Sequence, residues 1–241
     1  FGHMGRNVAE LVEADKDCSL LCGVDLRAGE MNGAPVYASF ADVKEKADAV
    51  IDFSSASNLK NVLAYAEKFN CPAVLAATGY TDADLKEIDE ASKKVALFKT
   101  ANLSVGINLL QKLVKEAAAF LGEAFDIEIV EKHHNLKKDA PSGTALMLAE
   151  SANEAFSGNK NFVYGREGMV GARDKREIGI HAVRGGTIVG EHEVMFAGED
   201  EIVTLSHSAR SKKVFAAGAV TAAKFIAGKP AGKYDMHDVI G

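Results

Sequence analysis

The residues best suited to chemistry in this chain are concentrated between positions 128 and 145, which read EIVEKHHNLKKDAPSGTA. Two adjacent histidines, His133 and His134, end an apolar strand pattern, and Lys137 and Asp139 follow in the same connecting segment. A histidine titrates near neutrality, so it can donate or accept a proton at physiological pH. The pattern predicts a proton-transfer site on a loop. The competing interpretation is a solvated polar loop.

The end of the same segment indicates a site for an anion. Ser142 is of a residue type that caps helices, and Gly143 and Thr144 follow it at the start of an apolar helical pattern. Backbone N–H groups at such a position, together with the helix dipole and the nearby Lys137, would attract a carboxylate or a phosphate. The alternative is a capped helix start with nothing bound, which gives the lysine, the glycine and the histidines no role.

The elements that must position these residues begin with a regular alternation. Short apolar strands are predicted at residues 19–25, 49–53, 73–77 and 95–98, and helices follow over about 57–69 and 82–93. Strands that alternate with helices are typical of a parallel sheet with right-handed crossovers.

The pattern changes after Asn102. A long helix is predicted over 105–121, and then come strands without intervening helices, around 127–129 and at 178–184, 187–196 and 201–209. Such a run indicates an antiparallel or mixed sheet. Residues 213–227 return to helix, and 159–175, rich in glycine and charge, is predicted to be a long mobile loop.

We therefore predict an α/β chain with two domains. Residues 1–104 and 213–241 form a Rossmann-type doubly wound parallel sheet domain that binds a dinucleotide. Residues 105–212 form an α+β domain with a mixed sheet.

The start of the chain resembles part of a nucleotide-binding turn. Gly2 and Gly5 precede a helical pattern, and Asp25 closes the next strand pattern 20 residues after Gly5, where an acid would bond a ribose hydroxyl. The first strand and first glycine of such a motif are missing, and we expect them to precede Phe1. Two glycines before a helix can also be a plain turn, but the spacing of Asp25 favours the nucleotide. The sequence does not decide between NAD and NADP.

Composition excludes several classes of function. The net charge of −6 argues against general nucleic-acid binding, and no apolar run approaches the roughly 20 residues of a membrane span. Cys18, Cys22 and Cys71 are odd in number and lack the spacing of a metal site. We expect reduced thiols, no bound metal and a cytoplasmic location.

Residues 128–145 match a pattern, E-x-x-E-x-H-H-x-x-K-x-D-A-P-S-G-T-A, that resembles the signature of the 4-hydroxy-tetrahydrodipicolinate (dihydrodipicolinate) reductase family. The likeness extends to GHMGR near the start, TANLSVGIN at 100–108, RGGTIVGEHEVMF at 184–196 and GKYDMHDV near the end. The resemblance implies hydride transfer from NADH or NADPH to a cyclic imine dicarboxylate, giving tetrahydrodipicolinate for lysine and diaminopimelate. It also implies a homotetramer assembled through the sheet of the second, substrate-binding domain.

The resemblance also implies a role for individual residues. His133 would be the proton donor and acceptor, and Lys137 a second proton donor that helps to orient the substrate. His134, Gly143 and Thr144 would bind the substrate carboxylates. The cofactor would contact Phe1, Gly2, His3, Met4, Asp25, Ala76, Ala77, Thr78, Thr100, Ala101, Asn102 and Leu103.

Two other functions stay open at this point. One is a different two-domain nicotinamide oxidoreductase, acting on a sugar or an amino acid. The other is a nucleotide-binding sensor without catalysis. The presence of both His133 and Lys137 argues against a sensor.

Some members of the family have Arg directly after the ribose-binding acid, whereas this chain has Leu26, so a strong preference for NADP is in doubt.

Overall fold

The computed structural model describes residues 2–241, so Phe1, one of the predicted cofactor contacts, lies outside the described residues. The chain divides into two compact units: the first extends to Val105 and resumes over Lys212–Gly241, and the second comprises Gly106–Ser211. The predicted domain boundaries, after residues 104 and 212, each lie one residue from a boundary between the two units.

Short strands and longer helices make up both units. The helices are α1 (His3–Ala14), α2 (Leu59–Phe69), α3 (Asp82–Ser92), α4 (Val105–Leu121), α5 (Gly143–Glu154), α6 (Lys213–Ile226) and α7 (Met236–Ile240). The strands are β1 (Gly23–Val24), β2 (Gly29–Met31), β3 (Ala34–Tyr37), β4 (Val50–Asp52), β5 (Ala73–Leu75), β6 (Ala96–Phe98), β7 (Asp126–His133), β8 (Asn161–Tyr164), β9 (Glu177–Arg184), β10 (Gly190–Ala197), β11 (Ile202–Ala209) and β12 (Gly232–Tyr234).

The first unit contains the predicted parallel sheet. Its order is β12-β6-β5-β4, and every neighbouring pair is parallel. Strands β5 and β6 are buried along their whole length, as expected for strands covered on both faces. Helices α2 and α3 pack on one side of the sheet and α6 on the other. The α/β fold class is confirmed.

A second, three-stranded sheet in the first unit differs from the prediction. Its order is β1-β3-β2, with β1 parallel to β3 and β2 antiparallel to it. The strand predicted over 19–25 is strand only at Gly23–Val24. The β2–β3 hairpin was not predicted, although its two-residue turn is Asn32-Gly33, both with positive φ, a sequence typical of tight hairpins.

A large cleft of about 1580 Å³ lies in the first unit between these two sheets. It is lined by residues of β1 and of β4, which are end strands of their sheets.

The second unit is built on the predicted mixed sheet, of order β11-β10-β7-β9-β8. Strand β10 is antiparallel to β11 and β7, whereas β7, β9 and β8 run parallel to one another. One face carries the apolar core with α4 and α5, in which Ile129 and Phe196 are fully buried. The alternation of buried and partly exposed residues along β7 follows from this one-sided packing.

A cluster of charges on the opposite face fixes the segment after β8. Glu128 accepts hydrogen bonds from Arg166, at 2.9 and 3.0 Å, and from Arg173, at 2.8 Å. His181 Nε2 lies 2.7 Å from the same carboxylate. The paired residue on β9 is Gly179, where a Cβ atom would lie 1.9 Å from Glu128 Oε2. The prediction of one long mobile loop over 159–175 is therefore wrong, because the segment contains β8 and two arginines bound to Glu128.

Gly218 in α6 gives a test of the packing in the first unit. An added Cβ atom would lie 1.7 Å from the carbonyl oxygen of Leu103. We expect Gly218→Ala to lower the free energy of unfolding by about 2 kcal/mol, the cost typical of overpacking, although alanine is the better helix former. Urea unfolding measures the change. The control is Ala217→Gly at the exposed neighbouring position, which should cost about 1 kcal/mol. A Gly218→Ala protein as stable as the wild type would contradict the packing.

The Glu128 cluster predicts a pH-dependent stability. Burial alone raises the pKa of Glu128, but the hydrogen bonds from its partners outweigh burial and lower that pKa from 4.5 to about 2. Because the folded-state pKa is depressed, the stabilisation is present above the ordinary carboxyl pKa and is lost as the pH falls towards 2. We expect Glu128→Gln to cost about 2 kcal/mol at pH 7, and the difference from wild type to shrink with acid in urea unfolding curves.

The control for this pH dependence is Glu199→Gln, at an exposed position in the turn between β10 and β11. This variant should follow the wild-type stability at every pH. A difference between wild type and Glu128→Gln that is the same at pH 7 and pH 3 would contradict the depressed pKa.

Candidate active site

The candidate site is organised around Glu131, a carboxylate with no exposed surface near the end of β7. Both its oxygens accept from the Arg184 guanidinium at 2.7 Å, and one accepts the backbone N–H of Ser142 at 2.9 Å. The other lies 2.6 Å from Nδ1 of His133. Residues two apart in a strand share a face, so the sequence Glu131-Lys132-His133 brings carboxylate and imidazole together.

These contacts determine the charge of Glu131. Burial alone raises the pKa of Glu131, but the hydrogen bonds from Arg184, His133 and Ser142 outweigh burial and lower it below the ordinary value. Arg184 in turn has a raised pKa, chiefly because of its hydrogen bonds to Glu131. The guanidinium also donates to the backbone carbonyl of Asp139 at 2.8 Å. Glu131 and Arg184 are therefore both charged at neutral pH. Through its hydrogen bond to the Asp139 carbonyl, Arg184 also holds the loop after β7 in place.

The orientation of His133 follows from the charge of its partner. An ionised carboxylate only accepts hydrogen bonds, so Nδ1 must carry the hydrogen that it donates to Glu131. The nitrogen of the ring that is left without this hydrogen bond is Nε2. This nitrogen faces Gly190, where a Cβ atom would lie 3.1 Å away, so the glycine leaves room beside it. The side chain of His133 is 11% exposed, which leaves the ring within reach of a ligand.

Ser142 connects the strand to α5. Its Oγ accepts from the backbone N–H of Ala145 at 3.2 Å, so the predicted helix cap is confirmed. The same oxygen lies 2.9 Å from Nε2 of His192, whose ring stands edge-on to that of His133 with 5.2 Å between centroids. Burial, followed by the nearby His133, lowers the pKa of His192 to about 4, so His192 is neutral at physiological pH.

His134 and Lys137 lie in the loop that follows. Nδ1 of His134 is buried and has no hydrogen-bond partner within the described residues. The Lys137 ammonium donates to both carboxylate oxygens of Asp139, at 2.8 and 2.9 Å. That hydrogen bond is the main reason for the lowered pKa of Asp139. The loop is thus ordered by its own ion pair.

Gly143 and Thr144 form the first turn of α5, directly after the Ser142 cap. Nothing lies within 4 Å of the position of a Cβ atom on Gly143, so open space borders the helix start. The five residues predicted to handle protons and substrate thus lie around the end of β7 and the start of α5, where Glu131 contacts both His133 and Ser142. Whether they have those roles stays a prediction.

The predicted cofactor residues fall into two groups in the first unit. Gly2 is the N-cap residue of α1 and has no side chain to satisfy the free N–H groups of the helix. The cleft between the two sheets is lined by Gly2, His3, Met4 and Asp25. This arrangement suits a dinucleotide, because the helix start presents backbone N–H groups and open space surrounds the Cβ position of Gly2.

The remaining predicted cofactor residues do not line that cleft. They follow the carboxyl ends of β5 and β6, which is where ligands bind in open parallel sheets. In this group Thr100 Oγ1 donates to the carbonyl of Asn102 at 3.2 Å, and Asn102 Oδ1 accepts the N–H of Ser104 at 2.8 Å. The residues concerned are Ala76, Ala77, Thr78, Thr100, Ala101, Asn102 and Leu103.

Several residues of these sites were not predicted. Glu131 could have been found from its spacing of two to His133 within a strand pattern. Arg184 and His192 carried no local signal, since they lie 53 and 50 residues from their partners. Phe53 and Ser54, which follow β4 and line the cleft, were also missed.

No group of three or more His, Cys, Asp or Glu residues within 2–241 is arranged to hold a metal ion. No helix among these residues combines the length and apolarity needed to cross a membrane.

Comparison with known proteins agrees with the resemblance in the sequence. Residues 1–103 match the family model described as dihydrodipicolinate reductase, N-terminus, and residues 106–240 match its C-terminus counterpart. The 4-hydroxy-tetrahydrodipicolinate reductases of Caldanaerobacter subterraneus subsp. tengcongensis and Clostridium novyi are 51% and 46% identical to this chain. Each match covers 99% of this chain and 94% of the relative.

A solved structure shares the fold. The dipicolinate-bound dihydrodipicolinate reductase from Paenisporosarcina sp. TG-14 superimposes with a TM-score of 0.81 at 24% identity, over 97% of this chain and 94% of that one. Family models that together match nearly every residue, and relatives this similar, show that the chain belongs to the dihydrodipicolinate reductase family.

Proposed function

We propose that this chain reduces the cyclic imine dicarboxylate of the lysine and diaminopimelate pathway to tetrahydrodipicolinate, with hydride from NADH or NADPH. The observation that carries the proposal is the pairing of His133 with buried Glu131, next to the capped start of α5. A proton carrier beside an anion-binding helix start suits a substrate that has carboxylates and must gain a proton. Dipicolinate, named as bound in the Paenisporosarcina structure, is itself a dicarboxylate.

His133 supplies the proton in this reaction. A reduced nicotinamide held by the first unit would supply the hydride, and an unsaturated carbon of the substrate would accept it. The electron pair displaced into the conjugated system then takes a proton from Nε2 of His133, directly or through one water. The substrate gains one hydride and one proton in total. Glu131 stabilises the positive charge of the imidazole before the transfer and keeps its ring oriented.

The neighbouring residues hold the substrate. The buried, unpartnered Nδ1 of His134 and the open space beside Gly143 suit one carboxylate, with Thr144 in the same helix turn. Lys137 is paired with Asp139, whose side chain is 62% exposed. A substrate carboxylate can compete for this ammonium, because an exposed ion pair is worth little. Lys137 then orients the substrate and is the second group able to donate the single proton that the substrate gains.

The first unit holds the cofactor. Gly2, His3 and Met4 would meet the pyrophosphate at the start of α1, and Asp25 would bond a ribose hydroxyl. The loops over 76–78 and 100–103 would contact the rest of the molecule. A carboxylate at position 25 favours NADH, since it repels a 2′-phosphate. Arg27 is close enough in sequence to bind the 2′-phosphate of NADPH as well.

We further infer a cytoplasmic location, in keeping with the three free cysteines.

The open face of the mixed sheet supports the homotetramer that the resemblance implies. On the face opposite α4 and α5, Val183 and Ile202 are 44% and 62% exposed. Exposed apolar side chains at both ends of this face, beside the charges around Glu128, give a mixed surface that another copy could cover. We propose that four copies assemble through this face.

The roles of His133 and Lys137 are tested by alanine substitution. His133→Ala and Lys137→Ala should each lower kcat by about 100-fold or more, because general acid catalysis typically contributes 10²–10⁴-fold. Cofactor affinity should change little. The measurement is the loss of NADH absorbance with freshly prepared substrate, alongside cofactor binding by fluorescence.

The matched control is Lys138→Ala, which removes the adjacent, exposed lysine and should leave kcat within about twofold. Full activity in a His133→Ala, Lys137→Ala double variant would remove both residues from the mechanism. Tight cofactor binding without any NADH oxidation by the wild type would instead favour a sensor or a different substrate.

Assembly is tested with charges on the open sheet face. A Val183→Lys, Ile202→Lys double variant should lose the tetramer, since like charges would face one another across the interface. Light scattering after size exclusion gives the mass. Phe120→Lys is the control, because this side chain is 90% exposed but belongs to α4, away from that sheet face. A monomeric wild type, or an unchanged mass in the double variant, would rule out this interface.

A further inference from the structure

We propose that Glu131 is a positioning residue for the reaction: it fixes the tautomer of His133 and the place of the helix start that receives the substrate. The inference rests on the proposed function, in which His133 is the proton donor. It adds a residue that does not touch the substrate but acts through two groups that do.

The first argument is that Glu131 is saturated with donors. One carboxylate oxygen faces His133 Nδ1 and one guanidinium nitrogen of Arg184, and the other faces the Ser142 N–H and the second guanidinium nitrogen. A carboxylate has about four lone-pair positions, and four donors converge here. Any neutral residue at position 131 would leave buried donors unsatisfied.

The second argument concerns the imidazole. Without an acceptor-only partner at Nδ1, a neutral histidine can place its hydrogen on either nitrogen. The hydrogen bond to Glu131 selects the Nδ1–H form, so that the Nε2 position beside Gly190 is the one that exchanges protons. The carboxylate also offsets the charge that the ring carries when it is protonated.

The third argument concerns the helix start. Ser142 donates its N–H to Glu131 and caps α5 with its hydroxyl. The Glu131 carboxylate is therefore hydrogen-bonded both to Ser142, the residue directly before Gly143, and to the ring of His133. A single anchor thus sets the distance between the proton carrier and the anion-binding turn.

Glu128 provides an internal comparison. It lies on the same strand, faces the opposite side of the sheet, and also binds arginine side chains and a histidine. Its histidine, His181, has no role in the proposed reaction. Glu131→Gln and Glu128→Gln are therefore the same chemical change in similar charge clusters, and only the first should alter catalysis.

The experiment compares Glu131→Gln, Glu131→Asp and Glu128→Gln by NADH oxidation, at a temperature where each variant is folded. We expect Glu131→Gln to lower kcat by about 100-fold or more, because its amide places hydrogens where donors already converge, while the KM for NADH stays within about twofold. Glu131→Asp retains the charge and should recover part of the rate. Glu128→Gln should retain kcat within about twofold.

A spectroscopic measurement covers the case in which Glu131→Gln does not fold. In ¹⁵N-histidine spectra of the wild type, the His133 signals, assigned from their absence in His133→Gln, should show a protonated Nδ1 and an unprotonated Nε2 in the neutral ring. The opposite tautomer in the wild type would overturn the inference without any variant of Glu131.

The other outcomes are equally decisive. Wild-type kcat in Glu131→Gln, or an equal loss of kcat in Glu128→Gln, would refute the positioning role. An inactive wild type would refute the proposed function instead, while the tautomer would still test the role of Glu131.

Discussion

The second unit depends on the hydrogen bonds that compensate the charge of one buried carboxylate, that of Glu131. A carboxylate without exposed surface is tolerated only when every lone pair has a donor, because an unpaired charge in the interior costs several kcal/mol. For Glu131 the donors come from three places in the chain: Arg184 at the end of β9, His133 two residues along the same strand, and the Ser142 N–H after the loop. The parallel pairing of β7 with β9 is what puts Arg184 beside it.

Much of the fold could be predicted because it depends on local patterns. The long amphipathic helix α4 has the predicted bounds, and the buried strands of the parallel sheet follow from short apolar runs between helices. The errors fall where the deciding partner is distant in sequence. Arg173 binds Glu128, 45 residues away, and no pattern around the arginine indicates that its segment is held in place. The hairpin at Asn32-Gly33 is the exception, because its two-residue turn is itself a local signal.

The residues of the candidate site also differ in whether a local sequence pattern reveals them. His133, Lys137 and Ser142 lie in one short segment, so their types and spacing could be interpreted directly. Arg184 and His192 lie in a stretch that shares the family likeness, but no local pattern assigns them to this site, because they reach it only through the pairing of β7 with its two neighbours. The predicted cofactor residues lie in separate loops, at the start of α1 and after the ends of β1, β5 and β6, so the sequence pattern indicates only which element ends are involved.

The charges on opposite faces of β7 also bear on how the sheet assembles. A slip of one residue in the pairing of this strand would turn Glu128, Val130 and Lys132 into the apolar core and would expose Ile129. The two carboxylates would then lose their arginines together, so the misaligned sheet would carry uncompensated buried charge as well as misplaced apolar groups. The correct register of β7 is thus the one in which both carboxylates meet their arginine partners, and the alignment one residue away is disfavoured by charge as well as by misplaced apolar groups.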